Sequence, residues 1–306
     1  MKRSILYGLA AALISIGSVY GESEPWRFAV IGDTHVPQSH LVEKIVDELL
    51  KQQVEVVLFP GDLVQGGKGQ QADGMEAELD EWLRLVQPLR DAGIEVLAVR
   101  GNHEADVRGD NLSPWIGAVG PDLNVSLRHR NVTFIGLDNY LCGERTVDTV
   151  WLEKALQQAA GTLIVPFGHE PAFTCGTFHP VCLDADTLCR NRFWELLETY
   201  GVPYYFCGHA HQYNLCRITH DGHTIIQVVS GGGGGRLQPR RGEPCESDYC
   251  VEALDCRSEN GYLVVEVNGS ELSTRWCHVQ NDEPQPTGMR PRKGEEFNTK
   301  RFRGPN

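Results

Sequence analysis

Five short polar motifs occur in order along this 306-residue chain: Asp33-Thr34-His35, Gly61-Asp62, Gly101-Asn102-His103-Glu104, Gly168-His169 and Gly208-His209-Ala210-His211. Their side chains are carboxylates, imidazoles and a carboxamide oxygen, the donor types that suit transition metals. A carboxylate can bridge two cations about 3.5–4 Å apart, close enough for both to activate one water. Neutral imidazoles and an asparagine carbonyl add ligands without cancelling the cations' charge. The chemistry within reach of such a set is hydrolysis at a binuclear metal centre.

Each motif taken singly is weak. Asp-x-His can be a plain strand-end turn, and Gly-Asp is common wherever a chain turns sharply. His209 and His211 share one strand face by the period of two. A lone His169 is more often a hydrogen-bonded histidine than a ligand. Five ligand-bearing motifs in sequence order are a different matter, because each follows an apolar run that reads as a buried strand. Polar groups just past such strands stand at the C-terminal edge of a parallel sheet, where sites form.

The elements that must position them read as follows. Strands are expected at Arg27–Ile31, Val54–Phe59 and Glu95–Val99, with helices at Leu41–Gln52 and Glu76–Ala92 between them. That βαβαβ order predicts a mainly parallel sheet covered by helices. Residues Asp106–Leu123, rich in Gly, Pro, Asn and Asp, read as a surface loop. Paired strands Val125–Arg130 and Val132–Leu137 follow, then helix Asp148–Ala160, strand Leu163–Phe167, helix Thr187–Tyr200 and strand Pro203–Cys207. Beyond His211 the pattern becomes short strands: Tyr213–Thr219, Thr224–Ser230, Tyr262–Val267 and Leu272–His278, the first two joined by an Asp221-Gly222 hairpin turn. Ligand motifs lie on both sides of this shift, so a second sheet packed on the first is expected rather than a second domain.

The ordered set of motifs, spanning residues 33 to 211, resembles the calcineurin-like metallophosphoesterase family. The resemblance implies an α/β fold, a four-layer αββα sandwich of two mixed β-sheets flanked by helices. It also implies a role for each motif. Asp33, His35 and His211 would bind a first metal, Asn102, His169 and His209 a second, and Asp62 would bridge both. His103 would donate a proton to the leaving alkoxide and stabilise phosphate charge. Glu104 would either orient His103, as carboxylates orient imidazoles, or hold the turn. Catalysis would proceed by attack of a metal-bridging hydroxide on a small phosphate ester.

Two departures narrow the resemblance. Purple acid phosphatases, relatives within the superfamily, carry a tyrosine three residues after the bridging aspartate; Gln65 stands there, and His35 stands where they usually have glycine. Arg100-Gly101-Asn102-His103-Glu104 is similar to the serine/threonine protein phosphatases, but Gln65-Gly66-Gly67 replaces their Asp-Arg-Gly. The reading is therefore a broad phosphoesterase with two divalent or mixed-valence transition metal ions (Fe, Mn, Zn or Ni). Phosphomonoesters are favoured over phosphodiesters or nucleotide pyrophosphates. A metal-bound binding module without catalysis is the alternative of another class; it would predict a lost ligand or a lost His103, and none is lost.

Composition sets the compartment and excludes some partners. Lys2 and Arg3 precede an apolar run from Ile5 to Val19, with small residues at Gly17, Ser18 and Gly21. This reads as a secretory signal peptide over residues 1–21, too short for a stable membrane span. The phosphoesterase domain is then expected over 22–280 and a disordered tail over 281–306, in a secreted or periplasmic protein. The formal charge of −13 becomes −15 without residues 1–21, which repels nucleic acid and argues against it as a partner. Bound metal would still let a small anionic substrate be held locally. All ten cysteines follow Asn139, and none forms a Cys-x-x-Cys pair. In an exported chain they read as a disulfide framework.

Other residues are placed near the pocket. Gly231–Gly235 could cradle an anion with its amides or pass close beside the metal edge. The insertion Cys175–Cys189, with His179 and Arg190, should shape the pocket under a disulfide staple, and its Phe178 could stack on a base or simply pack. Asp138-Asn139 ends a strand near the same edge, and Trp115 could stack on a base or simply pack. Oligomeric state is not legible.

Overall fold

The computed structural model describes residues 24–37, 40–174, 182–239 and 248–281. The expected signal peptide, nearly all of the expected tail, and Cys175, Phe178, His179 and Cys245 lie outside the described residues.

Two mixed sheets form the centre. The first contains β1 (Trp26–Val30), β2 (Val54–Pro60), β3 (Glu95–Val99), β11 (Gly261–Asn268) and β12 (Glu271–His278), in the order β12-β11-β1-β2-β3. β1, β2 and β3 run parallel, while β11 pairs antiparallel with β1, Trp26 opposite Val267. The second contains β4 (Val125–His129), β5 (Val132–Leu137), β6 (Leu163–Gly168), β7 (Tyr204–Cys207), β8 (Tyr213–His220), β9 (His223–Ser230) and β10 (Cys250–Arg257), in the order β10-β8-β9-β7-β6-β5-β4. Here β5, β6, β7 and β9 are parallel neighbours. The last two strands thus join the first sheet, not the second: the chain crosses back to close beside its own start.

The helices lie outside. α1 (Leu41–Leu49), α2 (Ala72–Asp91) and α4 (Leu112–Ala118) pack with the first sheet, and α5 (Thr149–Gln158) and α6 (Thr187–Thr199) with the second. Between the sheets lies a third apolar layer in which Phe28 of β1 meets Phe134 of β5 and Phe206 of β7 edge-to-face, ring centroids 5.1 and 5.7 Å apart. Strands buried on both faces explain the unbroken apolar runs Phe28–Ile31 and Val56–Phe59. This is the expected four-layer αββα sandwich.

Local differences have local causes. The expected loop 106–123 contains α4, because Asp110 caps it through the N–H groups of Leu112 and Ser113 and Pro114 is tolerated in a first turn. Trp115 on that helix is buried in the first sheet's core, so it packs and does not face a ligand. α2 begins four residues before the expected Glu76 and tolerates Pro88. The missed strand β10 pairs with β8 around a bulge. Asp221 and Gly222, with φ of 46° and 82°, make the expected β8–β9 turn.

The cysteines correct an expectation. Cys142, Cys182, Cys189, Cys207, Cys250 and Cys277 are free thiols, so the expected disulfide framework does not extend to them. Cys182 and Cys207 are fully buried and behave as small hydrophobes. Among the described residues no helix is long and apolar enough to cross a membrane.

Candidate metal centre

The motifs occupy the C-terminal ends of strands from both sheets. Asp33 and His35 follow β1, Asp62 follows β2, and Asn102 opens the short helix α3 (Asn102–Ala105) after β3. His169 follows β6, and His209 and His211 follow β7. At four of these residues the backbone turns into the left-handed region: φ is 61° at Asp33, 47° at His35, 51° at Asp62 and 68° at His209. Each such residue costs of order 1–3 kcal/mol and clusters at functional sites. The turns redirect side chains that a continuing strand would send to alternate faces. Gly101 permits a close approach, since a Cβ there would overlap the carboxylate of Asp62.

Two groups of donors result. In one, Asp33, His35, Asp62 and His211 offer ligand atoms that all lie within 4.8 Å of one another. His35 Nε2 and His211 Nε2 are 3.0 Å apart; Asp62 Oδ2 stands 3.7 Å from the first and Asp33 Oδ1 3.6 Å from the second. In the other, His169 Nε2 lies 3.1 Å from His209 Nδ1 and 3.4 Å from Asp62 Oδ2. Asn102 Oδ1 stands 3.1 and 2.9 Å from those two nitrogens. Donors bound to one ion at about 2.0–2.2 Å stand roughly 3–3.5 Å apart, so both groups fit a transition metal in size and chemistry. Asp62 belongs to both.

Without cations the burial is electrostatically costly. Burial raises the Asp33 carboxyl well above the usual range, helped by Asp62 and opposed by His169. Burial also works against ionised Asp62, but the charge and hydrogen bond of His169, and after them His103, prevail and hold it well below that range. Burial lowers His35 to about 3. At His169 burial likewise disfavours the cation, yet Asp62 outweighs it and raises the imidazole to about 10.

His103 lies beside the two donor groups. Its backbone N–H donates to Asp62 Oδ1 at 2.9 Å, and its Nδ1–H donates to the carbonyl of Gln65 in a short bond. Nε2, 4.0 Å from Asp62 Oδ2, faces the centre on a side chain that is 25% exposed. Glu104 is not directed at His103, which corrects the orienting role considered for it. Its carboxylate accepts the N–H groups of Asp62, Gly101 and Val64 at 3.1, 2.7 and 3.1 Å. It therefore fixes the turn that presents Asp62. Burial and the charge of Asp62 raise it to about 7.

The remaining pocket candidates resolve individually. In the glycine run, the N–H groups of Gly231, Gly233 and Gly235 donate to the carbonyls of Gln212, Gly32 and Asp33, so these three do not form an anion cradle. The run passes close to the centre instead: a Cβ on Gly235 would lie 2.7 Å from the rings of His211 and His35. Asn139 reaches the edge, its Oδ1 accepting both the His169 and Glu170 N–H groups at 2.8 Å. Asp138 forms a buried pair with Arg100 at 2.6 Å, tying the end of β5 to the end of β3. Arg190 is buried over the rings of Phe173 and Tyr249. Sequence reasoning missed Glu170 beside His209, and Tyr140 and Arg145 beside Glu170. Their only signal was proximity to Gly168-His169 and to the strand-ending Asp138-Asn139.

Residues 27–213 match the family model described as calcineurin-like phosphoesterase. Among curated proteins the chain is similar to purple acid phosphatase 15 of Arabidopsis thaliana, 21% identical over 268 residues that cover 76% of this chain and 49% of that protein. Similar solved structures include the purple acid phosphatase PPD1 from yellow lupin (Lupinus luteus) seeds, at a TM-score of 0.64 and 17% identity, covering 83% of this chain and 52% of that one. GAP50, the anchor in the inner membrane complex of Plasmodium, follows at 0.61 and 15%, covering 83% and 84%. PhoD follows at 0.58 and 11%, covering 84% and 69%. These structures share the fold. The chain spans about half the length of the two purple acid phosphatases.

Proposed function

The chain belongs to the calcineurin-like phosphoesterase family, and from that premise we propose that it is a binuclear metal-dependent hydrolase of small phosphate esters, acting first on monoesters. The observation that carries this reading is the pair of donor groups sharing Asp62. Asp33, His35 and His211 would hold one ion, Asn102, His169 and His209 the other, and Asp62 both. Fe, Mn, Zn and Ni all suit these donors. Bound there, the ions would supply an activated water and neutralise phosphoryl charge.

The protein's own groups divide the remaining work. His103, with Nδ1–H committed to Gln65, presents Nε2 toward the centre and would pass a proton to the departing oxygen. Glu104 and Asn139 hold the turns that present Asp62 and His169. Gln65 meets His103 only through its backbone carbonyl, so no tyrosinate-to-iron colour belongs to this reading. Export, with residues 1–21 as a signal peptide, belongs to it on the strength of Lys2, Arg3 and the apolar run after them.

The test is a substrate panel on metal-reconstituted protein: monoesters, bis-esters, cyclic nucleotides and nucleoside diphosphates. The highest kcat/KM is expected for a monoester. A preference for bis-esters or diphosphates would replace the substrate class while keeping the centre. The Plasmodium structure of this fold is an anchor by its description. No turnover of any ester by protein carrying two metals would therefore leave a binding module.

A further inference from the structure

We propose that Glu170 is the positioning residue for His209, fixing its ring and its tautomer so that Nδ1 is presented to the second metal; this rests on the metal centre proposed above. His209 uses its two nitrogens in opposite directions. Nδ1 faces Asn102 Oδ1 at 2.9 Å and His169 Nε2 at 3.1 Å, inside the centre. Nε2 faces outward, 3.5 Å from Oε2 of Glu170. A carboxylate on that side favours a proton on Nε2, keeps it off Nδ1 and raises the basicity of Nδ1 as a ligand.

Glu170 is itself tightly held. Its side chain has no exposed surface. Oε1 accepts the Tyr140 hydroxyl at 2.5 Å and stands 3.4 Å from Nε of Arg145, while the backbone N–H is gripped by Asn139. A buried carboxylate is costly unless it is paired and bonded, and here the bonds to Oε1 leave Oε2 to face Nε2 of His209, with Cys182 close by. His169 and His211 use backbone carbonyls on their outward sides instead: His169 Nδ1 donates to Pro60 and His211 Nδ1 to Arg236, both at 2.8 Å. Side-chain substitution at Glu170 therefore reaches the outward nitrogen of His209 and not those of His169 and His211. One competing arrangement exists on the same side, since Glu170, Cys182 and His209 could themselves enclose a cation. In that case Nε2 would be a ligand and not a donor.

The probe is Co²⁺, titrated into metal-free protein without substrate and followed by calorimetry and visible absorption. Glu170→Gln keeps the shape and removes the charge. It should weaken the second Co²⁺ by about 10–100-fold and alter its absorption bands, while the first stays within about twofold. Tyr140→Phe, which leaves Glu170 in place but loosens it, should weaken the same ion by a smaller factor. It decides the matter if Glu170→Gln does not fold. Unchanged affinity for the second ion overturns the proposal. So does equal loss at both ions, or a third Co²⁺ that Cys182→Ser removes. Wild-type protein that takes up two Co²⁺ but hydrolyses no ester would end the proposed activity and leave this test intact.

Discussion

The carboxylate of Asp33 accepts the backbone N–H of His209, with both oxygens 2.9 Å from the nitrogen. Asp33 ends a strand of one sheet and His209 a strand of the other, and both adopt left-handed φ. A side chain proposed as a ligand of the first ion thereby sets the backbone that carries a ligand of the second. The two halves of the centre are mechanically linked, apart from the carboxylate they share.

Asp33→Asn should therefore affect both ions unequally. The first should weaken by more than about 100-fold and the second by about tenfold, as for loss of an outer-shell partner. Asp62→Asn should weaken both strongly and reduce activity at least about 100-fold, with the fold kept. Metal analysis and stepwise titration check this. An effect of Asp33→Asn confined to one ion would refute the linkage.

His103→Ala should leave two metals bound while slowing turnover. General acid help contributes about 10²–10⁴-fold, and the loss should be greatest for alkyl phosphates, whose alkoxides leave poorly. Nitrophenyl phosphate should lose much less. Equal losses for both substrates would move His103 from proton transfer to phosphate binding.

Metal loading should depend on pH through His169 and not through His35. In metal-free protein His169, raised to about 10 chiefly by Asp62 against the opposing effect of burial, holds a proton at neutral pH. His35, lowered to about 3 by burial, holds none. Binding of the second ion must displace the His169 proton, so its affinity should rise by up to about tenfold per pH unit until that group deprotonates unaided. Calorimetry in buffers of different ionisation enthalpy counts the proton released. Release of none near neutral pH would contradict the assignment.

Gly235→Ala should disturb the first ion through sterics alone. Its Cβ would sit 2.7 Å from ring atoms of both His211 and His35, and overpacking of this kind costs about 1–3 kcal/mol. Gly117→Ala, with open space around the new Cβ, is the control and should be neutral or slightly stabilising. Equal metal affinity in the two variants would show that the glycine run does not brace the histidines.

What the sequence determined is the set of parts. Five motifs past apolar runs carried the candidate ligands, and strand and helix periodicity gave most elements, because burial on both faces writes itself into composition. Three things needed the tertiary structure. The return of β11 to pair with β1 depends on contacts more than 230 positions apart in sequence, such as Trp26 with Val267. Glu104 and Glu170 look alike in sequence, each following a histidine. The turn before α3 spends one on backbone N–H groups, while the end of β6 aims the other at His209. The cysteines read as bridges by count and compartment, yet Cys182 and Cys207 are packed in the core as thiols. In each case residue type was visible in the chain, and direction was set by packing between layers.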